Sequence, residues 1–434
     1  MSATSERAIW DPVESVPRER LRALQLERLR TTVARVVASQ PLGAERLAAA
    51  GIDGPDDIHS LDDVARLPFS WKDDLRDGYP FGLLAVPREQ VVRVHASSGS
   101  HGKPTVVSYT RADIEAWTEL MARCMTMAGV RPGMVLHNAN AYGLFTGGLG
   151  FHAGGERIGA TVIPVSGGFS ARQAMLMADL GGQVLTSTPS YALVIAQAVR
   201  EAGLDPAQLS LELGLFGGEP WTDAMRAQLE SELALTAMSF YGLSEMCGPG
   251  VAAECSARNG LHVQEDHFLV EVVDPDSGEP LGEGKQGELV FTTLAKEAQP
   301  LIRYRTGDIG ELDSAPCECG RTLARVTRLV GRRDDMLIVR GVNLFPSNVE
   351  HLLLGVEEAG PHYRLIVERE GVMDELTVEC EPASDGVDRD ALAARVEHLL
   401  REHTGIRIAV AVVDPGAVPR SEGKAVRVVD RRAN

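Results

Sequence analysis

Residues 97–104, Ser-Ser-Gly-Ser-His-Gly-Lys-Pro, place small hydroxyls, two glycines and a lysine between the β-branched runs VVRVHA and TVVSY. Gly99 and Gly102 permit positive φ, so successive amides can line an anion-binding concavity. Ser97, Ser98 and Ser100 add hydroxyl donors, and Lys103 adds a point charge. Such a loop suits the holding of a phosphate. It is not a Walker loop, because Ser97 stands where glycine is needed and Pro104 where Ser or Thr is needed. Pro104 lacks an amide hydrogen and biases Lys103 away from helix, so the loop should join strand to strand. The competing reading is a hairpin turn that binds nothing.

A second set, Cys255, His262, Cys317 and Cys319, has the ligand types of tetrahedral zinc, although neither half shows the common C-x-x-C spacing. Gly260 and Gly320 offer tight turns beside these residues. Four protein ligands would leave no open position, which implies a structural site. The alternative is that Cys317 and Cys319 are free surface thiols. Cys124 and Cys380 lie in apolar patterns and belong in the core.

The elements that must position these groups follow from periodicity. Residues 14–50 carry Leu21, Leu24, Leu26 and Leu29 at near-helical spacing and predict one or two amphipathic helices. Helical patterns at 111–129 and 171–181 alternate with short apolar runs at 161–165 and 214–218, which argues for an α/β body. Residues 268–312 read as a β-rich subregion of hairpins. Beyond GRRDDMLIVRG lies a small α+β stretch, with helices at 346–354 and 390–403 and strands near 363–368, 375–380 and 408–413.

A formal net charge of -18 excludes generic binding to nucleic acid or an anionic membrane, so a phosphate ligand must be held locally. No apolar run approaches the ~18 residues that span a bilayer. The charged N-terminus does not read as a signal peptide. A cytoplasmic location is the expectation.

Further segments complete a pattern: YGLSE at 241–245, YRTGD at 304–308, GRRDDM at 331–336 and GK at 423–424, in that order after the phosphate loop. With AYGLFTGGLG, GGEPW, GPGVAAEC, EDHF and RGVNLFP between them, the chain resembles the phenylacetate–coenzyme A ligase family of adenylate-forming enzymes from about Leu21 to Arg432. The resemblance implies a large domain over 1–333 and a small mobile domain over 334–434, with a hinge near Asp334, and a homodimer. It implies that ATP and an aromatic or arylacetic acid give acyl-AMP, which passes to coenzyme A; an amine or a carrier-protein thiol as acceptor, and a non-catalytic nucleotide-binding homologue, stay open.

By the same resemblance Lys424, Glu245 and Lys103 are catalytic, with Glu245 on Mg²⁺. The nucleotide would meet the phosphate loop with His101, then Gly218, Glu219, Pro220, Tyr241, Gly242, Ser244, Asp308 and Arg332, with the Tyr241 ring against adenine and Asp308 on the ribose hydroxyls. Asn140, Tyr142, Gly143, Phe145, Gly217, Cys247, Gly248 and Pro249 would form the acid pocket. Relatives carry a Cys…His…Cys-x-Cys set like the one above, which supports zinc.

Two positions depart from the family. His101 replaces the usual threonine; it either contacts a phosphate, making ATP binding pH-sensitive, or rests in solvent. Asn140 stands where relatives have an aromatic residue, and an amide seeking partners suggests a polar-substituted aromatic acid.

Overall fold

The structure is a computed structural model that describes residues 8–97, 104–339, 342–370, 373–421 and 423–432. Its organising element is an eleven-stranded mixed sheet. Five strands are parallel, in the spatial order Thr161–Ile163, Val135–Asn138, Val184–Ser187, Leu213–Gly217 and Thr236–Leu243. A helix separates each from the next in sequence: Thr146–Ile158, Ser170–Leu180, Pro189–Glu201 and Asp223–Leu233. Crossover helices cover both faces, which is why Val184–Ser187 is buried at every position.

Thr236–Leu243 is where the sheet changes character. It runs parallel to Leu213–Gly217 on one side and antiparallel to Gly248–Glu254 on the other. From there the antiparallel half continues through Leu261–Val263, Arg325–Arg332, Tyr304–Asp313, Gly287–Thr293 and Phe268–Val273. The β-rich stretch is therefore the far wing of the same sheet, joined through the pairing of Arg325 and Val326 with His262 and Leu261.

The N-terminal expectation holds, with helices Arg18–Ser39 and Pro41–Ala49. The buried stripe runs through Leu21, Gln25, Leu29, Val33 and Val36, so Leu24 and Leu26 flank it. Gln25 is tolerated inside because its amide donates to the Glu265 carbonyl at 2.9 Å. Helix Arg111–Ala128 begins at a capping box of Thr110 and Asp113 and stops at Gly129, as its spacing predicts.

The small domain is a four-stranded sheet in the order Ala409–Val412, Met373–Pro382, Ala359–Glu370 and Val428–Asp430. Helices Pro346–Leu354 and Arg389–Thr404 close its core over Leu365, Val367 and Val378. Its two helices match expectation within a residue. The edge strand Val428–Asp430 and the hairpin of Leu337–Val339 with Val342–Leu344 were not foreseen, because strands of 3 residues carry little periodicity. Among the described residues no helix is long and apolar enough to cross a membrane.

Candidate active site

The carboxyl ends of the parallel strands open together at the switch from parallel to antiparallel pairing, where α/β sheets leave a crevice. A cleft of about 1570 Å³ lies there, walled by the strand ends and by the small domain's Gly423–Lys424 segment. Asn140, Gly218 and Glu245 each lie within two residues of one of these strand ends.

Only the foot of the phosphate loop can be placed. Ser98, Gly99, Ser100, His101, Gly102 and Lys103 lie outside the described residues. Ser97 faces the cleft, and its hydroxyl accepts from the Thr105 hydroxyl at 2.6 Å while its amide donates to the Thr105 carbonyl. Strands Arg93–Ala96 and Val106–Tyr109 pair antiparallel on either side, as Pro104 requires.

Asp308 is held in the cleft by two side chains. Its Oδ2 accepts from the Tyr241 hydroxyl at 2.6 Å and its Oδ1 from Arg332 at 3.2 Å. Burial pushes its carboxyl above the usual range, opposed by the Arg332 charge. An ionised carboxylate offers about four lone-pair sites, so about two remain for a diol. Arg332 is occupied within the protein, since it also donates to both oxygens of Asp334, at 2.9 and 3.1 Å. Three of its five N–H donors are thus used within the protein, and Arg332 still lines the cleft. The Tyr241 ring lines the cleft and is stacked on Phe291 at 6.0 Å. Gly242 is dictated by strand packing, because a Cβ there would stand 1.9 Å from the Gly248 carbonyl oxygen.

Ser244 and Glu245 both line the cleft, Glu245 being 8% exposed. The Tyr304 hydroxyl bonds the Glu245 carboxylate, and no arginine or lysine among the described residues forms a salt bridge with it. Behind it lies a residue that sequence reasoning missed. Buried Lys296 donates to the main-chain carbonyls of Glu245 at 3.3 Å and Met246 at 2.7 Å, with its ammonium 4.5 Å over the Tyr109 ring. Burial lowers its pKa to about 8.

Lys424 reaches over Gly218, whose φ of 85° and missing Cβ leave room for the lysine Cε 3.8 Å from the Cβ position. The lysine's charge is felt at Asp308. Pro220 lines the cleft as expected. Glu219 also lines the cleft, and its carboxylate accepts from the amides of Ser190 at 2.7 Å and Ala425 at 2.8 Å.

The proposed acid pocket divides. Asn140, Phe145, Gly217 and Pro249 face the cleft, joined by Phe151 and Phe240. Tyr142 turns away, its hydroxyl accepting from Asn138 at 2.8 Å, while Gly143 makes the exposed turn beside it. Cys247 lines a separate small pocket with Trp117 and Lys296, and burial raises its thiol to about 12. Gly248 packs on Thr146, which a Cβ would meet at 2.4 Å. The Asn140 amide nitrogen donates to Asn138 Oδ1 at 3.3 Å and Thr186 Oγ1 at 3.0 Å, which fixes the side chain at the cleft wall.

Away from the cleft, the sulfur and nitrogen atoms of Cys255, His262, Cys317 and Cys319 lie within 4.8 Å of one another, and all four residues are buried. Cys255 Sγ is 3.7 Å from Cys317 Sγ, and Cys319 Sγ is 3.5 Å from His262 Nε2. Those separations fit ligands about 2.0–2.3 Å from one tetrahedral ion and are far too long for a disulfide. His262 Nδ1 donates to the Leu323 carbonyl at 3.1 Å, which leaves Nε2 as the ligand atom. The alternative of surface thiols is excluded by their burial.

The AMP-binding enzyme family matches residues 27–294, and the AMP-binding enzyme C-terminal domain matches 341–432. A phenylacetate-coenzyme A ligase of Thermus thermophilus is 50% identical over 97% of this chain and 98% of its own. One from Escherichia coli K12 is 47% identical over 97% of each. A 2-hydroxyisobutyryl-CoA ligase in the postadenylation state with its acyl-AMP superposes with a TM-score of 0.93 at 29% identity, covering 100% of this chain and 94% of that one. The same ligase in the thioesterification state gives 0.74 at 30% identity and the same coverage. The chain belongs to the AMP-binding enzymes and, within them, to the phenylacetate–coenzyme A ligase family.

Proposed function

We propose that this enzyme activates an aromatic or arylacetic acid with ATP and transfers the acyl group to coenzyme A. The observation that carries the reading is the convergence of Lys424, Asp308 and Glu245 on one cleft beside an apolar pocket floored by Phe151, Phe240 and Pro249. A carboxylate oxygen attacks the α-phosphorus and pyrophosphate leaves. The sulfur of coenzyme A then attacks the acyl carbon, and AMP leaves with the electron pair of the broken C–O bond.

Negative charge gathers around phosphorus in the first step, so positioned cations and amides supply the catalysis. Lys424 neutralises charge between acid and α-phosphate. Asp308 takes the ribose hydroxyls on its remaining lone pairs, beside the ring of Tyr241. Residues 98–103 hold phosphate through amides and Lys103. Glu245, a largely buried carboxylate with no salt-bridge partner among the described residues, fits Mg²⁺, which would neutralise phosphate charge. The Cys255, His262, Cys317 and Cys319 set fits a structural Zn²⁺.

The higher similarity to the postadenylation state supports a small domain poised for the first half-reaction, turning about Asp334 for the second, with the division at residues 333 and 334. A panel of aromatic acids tests the reading, with pyrophosphate release followed with and without coenzyme A. Acid-dependent release followed by thioester formation is the expected result. Release without thioester would move the acceptor to an amine or a carrier protein, and no release from any acid would leave a nucleotide-binding homologue.

A further inference from the structure

We propose that Thr188, Ser190 and Glu219 form a receptor for the main chain on both sides of Lys424, and so position its ammonium for acid activation. The proposal deepens, and rests on, the function proposed above. Thr188 occupies the N-cap of helix Pro189–Glu201, where a threonine hydroxyl ordinarily accepts from the helix's own first amides. Here it makes no such bond. It donates instead to the Gly423 carbonyl at 3.0 Å, and Ser190 Oγ donates to the same oxygen at 3.3 Å.

The amide that Thr188 leaves uncapped is taken by Glu219. Its Oε1 accepts from the Ser190 amide at 2.7 Å, and its Oε2 accepts from the Ala425 amide at 2.8 Å. One carboxylate thereby spans the helix start in the large domain and the peptide that follows Lys424. Amide-to-carboxylate bonds are stronger than neutral ones, and the helix N-terminus favours the negative charge. Two hydroxyls hold the peptide before Lys424 and a carboxylate the peptide after it, so the direction of the lysine's Cα–Cβ bond is set. The Lys424 side chain passes beside Gly218, its Cε 3.8 Å from where a Cβ would stand.

Apart from the Ser190–Glu219 bond within the large domain, these contacts join the small domain to the large one. They exist only while Lys424 is docked, so they should favour acyl-AMP formation and contribute nothing to thiolysis. Thr188, Ser190 and Glu219 act on the reaction through Lys424 and are positioning residues.

The test uses full-length protein carrying Thr188→Val with Ser190→Ala, and separately Glu219→Gln. Hydrogen exchange on substrate-free protein reads the receptor itself. Exchange in peptides spanning 421–428 should accelerate about 10-fold, the loss expected for two ordinary hydrogen bonds, with the helices of both domains unchanged. Rapid-quench kinetics read its consequence. Acyl-AMP formation should slow about 10-fold, while conversion of supplied phenylacetyl-AMP to thioester should change less than about twofold. Thr188→Ser, which keeps the hydroxyl, should restore the first step. Unchanged exchange, or equal slowing of both half-reactions, would overturn the proposal. If the wild-type enzyme formed no acyl-AMP from any acid, the functional reading would fall while hydrogen exchange still decided for or against the receptor.

Discussion

Asp308 owes its suitability for a ribose to how its oxygens are shared. Tyr241 takes one side of Oδ2 and Arg332 one side of Oδ1, which orients the carboxylate and leaves lone pairs facing the cleft. Asp308→Ala should raise the KM for ATP by at least about 10-fold, the scale of a lost hydrogen bond to a charged group, with little change in the KM for the acid. Steady-state kinetics with each substrate varied would check it, and equal losses for both would mean the residue does not touch the nucleotide. The position of Asp308 in the cleft was legible from the resemblance carried by YRTGD. That of Lys296 was not, because its partners are main-chain atoms 50 and 51 residues away. A lysine among apolar neighbours near a strand end was the available signal, and solvated surface lysines give the same one.

At the scale of elements, Asn138 ends strand Val135–Asn138 and holds the acid-side loop to three other segments. Its amide donates to Tyr142 and to the Gly148 carbonyl, both at 2.8 Å, and its oxygen accepts from Thr186 at 2.9 Å and from Asn140. Asn138→Asp would put a carboxylate against the Gly148 carbonyl oxygen and the Tyr142 hydroxyl. It should raise the KM for the acid several-fold and leave that for ATP near wild type, with a melting temperature lower by a few degrees. Parallel KM measurements and a melting curve would separate these effects. The metal set is held in the same way by short elements, with His262 in a three-residue strand and Cys317 and Cys319 in a turn. Elemental analysis of chelator-free protein should find close to one zinc per chain. Cys319→Ser should lose the ion and destabilise the antiparallel wing; a zinc-free wild type of equal stability would remove the site. Helices of the small domain and the helix after Thr110 could be read from periodicity, whereas the pairing of these short strands depended on residues far along the chain.

For the whole molecule, the question is whether the two domains work in alternation. Lys424→Ala removes a cation needed in only one pose, so acyl-AMP formation should fall by ~10²–10³. Thiolysis of preformed acyl-AMP should run at near wild-type rate. Single-turnover measurements of each step would decide, and a second step slowed as much as the first would point to damage to the small domain as a whole. The two-domain organisation was foreseeable from the order of motifs. The contact at Thr188 was not, since its partner lies 235 residues away and threonine before proline reads as an ordinary helix start.

The order of strands in the large sheet also governs how the protein can be built. Arg325–Arg332 is the last of its strands to leave the ribosome, yet it lies between Leu261–Val263 and Tyr304–Asp313, both made earlier. Those two must wait with open edges until it arrives, a state in which unpaired strands are prone to stick to other chains. Arg332 is also the cross-strand partner of Asp308. A nascent chain that ends before residue 325 therefore has a sheet in two pieces, and one that ends before Arg332 lacks the partner of Asp308, so an isolated large domain can only be cut beyond that strand.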